Sequence, residues 1–164
     1  MSMIAEYRQL SVEDLNRLLK EDQDNIEEFL FEDGGEIEAA GFLSLDKSWH
    51  SLHFLLNGDP WQGSGPLFNA VLGGQEFGDD MGYGPPRYLS ADQVKEVAQA
   101  LSKVDRVQLK AKFDPQAFKK AEIYGFNAQD ANSEFGYMMG YLQELTSFFE
   151  SAAKAGKAVV ISLT

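Results

Sequence analysis

The sequence predicts one domain that mixes helices with strands, of the α/β or α+β class. Three observations carry this. Apolar residues recur three and four apart from about Asp130 to Ala155 (Phe135, Met138, Leu142, Leu145, Phe149, Ala152), the period of an amphipathic helix. The run that follows, Ala158 to Leu163, is nearly continuous in apolar and β-branched residues, as in a strand buried on both faces. Ser90 and Gln93 form a capping box ahead of Val94, Val97, Ala98, Leu101 and Val104, which give a second clean apolar helix face. At 164 residues the chain fits a single domain covering 1–164. A chain of this size buries roughly 70% of its unfolded surface, so its core needs no disulfide or metal. Cysteine is absent, which excludes disulfides, thiolate nucleophiles and Cys-ligated zinc.

The remaining elements follow in chain order. Met3 to Leu10 reads as a strand with imperfect alternation. Ser11 caps a helix with Asp14 at its third position and Val12, Leu15, Leu18 and Leu19 as its buried stripe. A second helix covers Asp24 to Glu32, with Ile26, Phe29 and Leu30 inward and Gly34 and Gly35 as its stop. Asp46 is placed to cap a third helix whose seam is Trp49, Leu52, His53 and Leu56, halted by Gly58, Asp59 and Pro60. Pro66 opens a short helix to Leu72. Gly73 to Leu89, rich in glycine and proline, is a loop leading to an extended piece at Arg87 to Leu89. Asp114 and Pro115 open a further short helix as cap and first-turn proline. Gly136 and Gly140, one turn apart on the last helix, are expected to let a neighbouring element approach its backbone.

Acidic residues outnumber basic ones 26 to 14, for a net charge of −12. Such a chain repels phosphate backbones and anionic lipid, so neither nucleic acid nor membrane is an expected partner, whereas a protein with a basic surface is. The start of the chain lacks a basic segment followed by an apolar one, and no run of about 18 apolar residues occurs. The expected location is therefore cytoplasmic.

Chemistry-bearing motifs are sparse. His50 and His53, with Asp46 a turn earlier, have a spacing that a metal ion could use, but a cap and a helix seam explain the same residues, and no metal is expected. Gly63-Ser64-Gly65 is not a nucleophile elbow, and the glycines between 73 and 84 match neither a dinucleotide fingerprint nor a P-loop, so no cofactor is expected. The loop around Asp79, Asp80, Tyr83, Arg87 and Tyr88 gathers carboxylates, a guanidinium and phenols within ten residues. With His53 it makes an alternative pocket of His53, Asp80, Tyr83 and Arg87 for a small molecule or a hydrolytic reaction; structurally, Arg87 would instead tie down Asp79 or Asp80. From Glu21 to Asp46 there are ten carboxylates and no Lys, Arg or His. Glu27, Glu28, Glu32, Asp33 and Glu36 are the candidate partner-binding residues of that run.

Several segments together resemble the YfbM-like family of bacterial proteins of unknown function. They are the start at Met3, Leu45 to His53, Pro66-Leu67 through Gly73, Gly82 to Leu89, Ile123-Tyr124 and Phe148-Phe149. The resemblance runs over essentially the whole chain and implies a compact three-layer domain with a mixed sheet flanked by helices. It brings no activity, cofactor or catalytic residue. The functional expectation therefore rests on charge and on missing motifs: a non-enzymatic protein-binding domain, in its specific form an immunity protein that masks a bacterial toxin.

Overall fold

The computed structural model describes residues 2–31 and 41–164. Glu32, Asp33 and Glu36, along with Gly34 and Gly35, lie outside the described residues. The chain runs β1 (Ala5–Leu10), α1 (Val12–Leu18), α2 (Gln23–Phe31), β2 (Phe42–Asp46), α3 (Trp49–Asn57), α4 (Pro66–Asn69), β3 (Gln75–Glu76) and β4 (Arg87–Leu89). It continues through α5 (Ala91–Ser102), α6 (Arg106–Lys112), α7 (Pro115–Lys120), α8 (Ala131–Lys154) and β5 (Ala158–Leu163).

Most helix starts follow from their caps. Ser11 Oγ accepts from the Asp14 amide, and Ser90 and Gln93 form both halves of the capping box. Asp114 Oδ1 accepts from the Gln116 amide ahead of Pro115. Asp46 is not a cap. It ends β2 with φ +49°, and Ser48 occupies the cap position of α3, its hydroxyl donating to the Leu45 carbonyl. Gly58, at φ +75°, turns the chain out of α3 as only a residue without a Cβ does at low cost.

Among the described residues five strands form one sheet, in the order β2-β1-β5-β4-β3. Every neighbouring pair is antiparallel, so the expected mixed sheet is corrected to an antiparallel one. The reason lies in the connections: the chain re-enters the sheet at the end it left, which sets each neighbouring strand antiparallel. β5 is the central strand, hydrogen-bonded to β1 from Ala5↔Leu163 to Leu10↔Ala158 and to β4 from Arg87↔Ile161 to Leu89↔Val159.

Helices cover both faces, giving three layers. Side-chain alternation along β5 divides the interior: Val159 and Ile161 join the larger core with α3, α5 and α8, while Ala158 and Val160 join a smaller core with Leu15, Leu18, Ile26 and Leu30 of α1 and α2. Tyr7 of β1 sits in the larger core against Phe148 and Phe149, and its hydroxyl donates to the Ala70 carbonyl at 2.7 Å. Gly136 and Gly140 face open space, where an added Cβ would meet nothing within 4 Å, so the expected close approach of another element does not occur there.

Candidate functional site

The α1–α2 layer carries the acidic run. Ile26 and Leu30 point into the smaller core, and the 3.6-residue period leaves Asp24, Glu27 and Glu28 on the solvent side, with Glu21 and Asp22 at the helix start. Asp22 Oδ1 accepts from the Asn25 amide at 3.0 Å, and negative charge at that end suits the helix dipole. At the other end Phe31 is 56% exposed, a large apolar side chain beside the carboxylates.

The glycine-rich loop is brought to this same face. The Asp79 amide donates to Gln23 Oε1 at 2.8 Å, and Gln23 Nε2 donates to Glu27 Oε1 at 3.0 Å. Gly78, at φ +70°, lets the loop lie against α2; a Cβ there would stand 3.0 Å from Gln23 Oε1 and 3.4 Å from Ile26 Cδ1. Phe77 and Met81 pack on the core beneath. Asp79 and Asp80 therefore extend the acidic surface of α2. Asp80 Oδ1 accepts from the Gly82 and Gly84 amides, which shapes the turn and leaves its carboxylate exposed.

A buried cation underlies the layer. Arg8 of β1 is 4% exposed and stands 5.1 Å over the Phe42 ring. Its Nη2 donates to the Leu30 carbonyl at 2.6 Å and to Glu6 Oε2 at 3.0 Å. The guanidinium holds the C-terminal end of α2, where the helix dipole is negative. Neither Arg8 nor Gln23 was singled out in the sequence. An arginine between Tyr7 and Gln9 in a strand was the one available signal for the first. Nothing local marks the second.

The residues of the alternative pocket make no direct contact with one another. No hydrogen bond, ion pair or ring contact joins any two of His53, Asp80, Tyr83 and Arg87. Arg87 does not tie down Asp79 or Asp80. It donates to the Gly73 and Val71 carbonyls, closing the end of the α4 turn, and burial pulls its pKa below the usual arginine value. Tyr83 lies at the surface.

The histidines of α3 differ in their contacts: both ring nitrogens of His50 are hydrogen-bonded, whereas Nε2 of His53 is buried without a hydrogen-bond partner. His50 is 1% exposed, stacks on Trp49 with centroids 4.9 Å apart, and meets the tilted Trp61 ring at 4.3 Å. Its Nδ1 accepts from the Tyr124 amide at 2.9 Å, so the ring proton sits on Nε2 and is donated to the Pro60 carbonyl, also at 2.9 Å. Both nitrogens are thus engaged by backbone. His53 is fully buried, with Nδ1 at 3.4 Å from Asn57 Nδ2 and its ring edge-on to Phe68. Burial lowers the pKa of both rings. Among the described residues no three His, Cys, Asp or Glu side chains converge as metal ligands would. No helix of the described residues is long and apolar enough to cross a membrane.

Comparison with solved structures finds the same fold in a protein of unknown function, YfbM from Escherichia coli. It is 24% identical with a TM-score of 0.79, and the match covers 98% of this chain and 99% of that one. At that identity the likeness speaks for the fold. Comparison with the curated proteins gives no match. The family model described as "Domain of unknown function (DUF1877)" matches residues 1–162, and the chain therefore belongs to the DUF1877 family, with YfbM as a relative in fold.

Proposed function

We propose that this protein is a non-enzymatic protein-binding domain whose α2 face receives a partner with a basic surface. The observation that carries the reading is the hydrogen bond from the Asp79 amide to Gln23 Oε1, which sets the loop carboxylates beside those of a helix 56 residues away. Carboxylates gathered on an exposed surface repel one another. A cationic partner turns that repulsion into attraction and speeds encounter by about 10-fold or more at low salt. Phe31, exposed beside the charges, supplies the apolar anchor that interfaces place within a polar rim.

The form we favour is an immunity protein that acts in the cytoplasm and masks a toxin. Enzymes that degrade nucleic acid present basic clefts, and an acidic face blocks such a cleft by steering into it. The test begins with capture of the partner from the native host by the immobilised protein. Association rates are then measured at low and high salt for the natural chain and for a variant carrying Asp24→Lys, Glu27→Lys and Glu28→Lys. These side chains face solvent, so the fold is retained. Association slows about 10-fold or more, and its salt dependence flattens. A folded variant with unchanged rate and salt dependence overturns the proposal.

A further inference from the structure

The cations of this chain are not spread evenly. Residues 103 to 120 contain six, Lys103, Arg106, Lys110, Lys112, Lys119 and Lys120, against two carboxylates, for a local charge of +4 where the other residues carry −16. All six are exposed, and among the described residues none is in an ion pair. Both carboxylates are occupied as helix caps: Asp105 Oδ1 accepts from the Val107 and Gln108 amides, and Asp114 Oδ1 from that of Gln116. Both keep their negative charge as caps, so the segment carries a net +4.

This end also holds a groove of about 280 Å³, formed where α6 crosses α3, α4 and the end of α5. Leu56, Leu67, Val104 and Leu109 supply apolar lining, and the charged lining is Lys103 and Lys112 against one carboxylate, Asp105, whose Oδ1 is turned to the α6 amides. Lys112 falls one turn after Leu109, which sets it on the groove side of α6. Lysine stems lie readily along apolar surface while the ammonium stays in water, so the two rim residues present both grease and charge.

We propose that this groove is a docking site for an acidic protein segment carrying one apolar anchor residue, on residues separate from the α2 face. Its volume lies at the lower limit of the about 300–1,000 Å³ of small-molecule pockets and suits a single large side chain. The unpaired lysines specify the charge of what flanks that anchor. Nucleic acid fits less well, because no aromatic side chain lines the groove to stack a base. A second copy of the chain brings net repulsion between two molecules of charge −12. The protein would thus present two faces of opposite sign to two partners.

The probe is a short fluorescein-labelled peptide of glutamates flanking one leucine, titrated by anisotropy. Saturable binding is expected, weakened about 10-fold or more by Lys103→Glu with Lys112→Glu, and equally by replacing the peptide leucine with alanine. Lys103→Gln with Lys112→Gln serves as a milder variant, and circular dichroism checks that both are folded. Binding is expected to be indifferent to Glu27→Lys with Glu28→Lys, so failure at the groove and failure at the α2 face are told apart. Absence of saturable binding, or binding indifferent to either the lysines or the leucine, overturns the proposal. So does an oligonucleotide of equal charge binding as tightly, or lysine-dependent self-association in sedimentation, which would name a second copy as the occupant.

Discussion

The backbone amide of Tyr124 donates to Nδ1 of His50 at 2.9 Å, across 74 residues of chain. That bond and the one from His50 Nε2 to Pro60 tie three segments to one imidazole: α3, the loop after it, and the stretch between α7 and α8. Such a ring works only when neutral. Protonation of Nδ1 would set two donors against each other.

The pH dependence of stability follows. Burial lowers the folded-state pKa of His50 and His53 below their unfolded value near 6.5. The unfolded chain therefore binds protons that the folded chain refuses, so the stability is complete above about pH 6.5 and falls as pH drops through the depressed folded values. Urea midpoints are expected to be flat between about pH 7 and 8 and to decline between about 6.5 and 5.5, before most carboxylates titrate. Histidine-to-glutamine variants at both positions, less stable at pH 8, would show a shallower decline. A midpoint independent of pH across that window contradicts the assignment.

Arg87→Ala is expected to destabilise the protein by about 1–3 kcal/mol, because the Val71 and Gly73 carbonyls lose their donor in a partly buried setting. Arg87→Lys should recover only part of this, since one ammonium does not reproduce a fork that reaches two carbonyls. A rise in melting temperature for the alanine variant would instead mark Arg87 as a residue held at a cost for ligand binding.

Leu142→Ala in α8 removes a buried side chain from the larger core and should cost about 2–5 kcal/mol, read as a lowered urea midpoint with little change in slope. An unchanged midpoint would count against the packing of α8 on the sheet.

Gln23→Ala should detach the glycine-rich loop from α2 with little effect on global stability, because the hydrogen bond is exposed and worth about 0.5–1.5 kcal/mol at most. Hydrogen exchange is the measurement: the Asp79 amide loses protection while core amides of β5 keep theirs. If the Asp79 amide exchanges at the same rate in both proteins, Gln23 does not organise the acidic surface.

What the sequence alone determined was local. The capping residues Ser11, Ser90 and Asp114, the seam of α8 and the apolar run of β5 each act within one or two turns of chain, and each was legible because their physics is a matter of spacing. The strand β2 was not legible. Its Phe42-Leu43-Ser44-Leu45-Asp46 lies at the sheet edge, where only Leu45 is buried, so it shows little of the alternation that burial of one face imposes. The helix α6 went unread because its seven residues bury only Leu109. Tertiary structure decided the rest. It aligned every strand antiparallel, turned Arg87 from carboxylates to carbonyls, enclosed both nitrogens of His50 in backbone contacts, and set Asp79 against Gln23. These pairings join residues far apart in the chain, and a hydrogen bond between distant residues leaves no period or motif in either segment. It exists only after the hydrophobic layers have fixed where those segments meet.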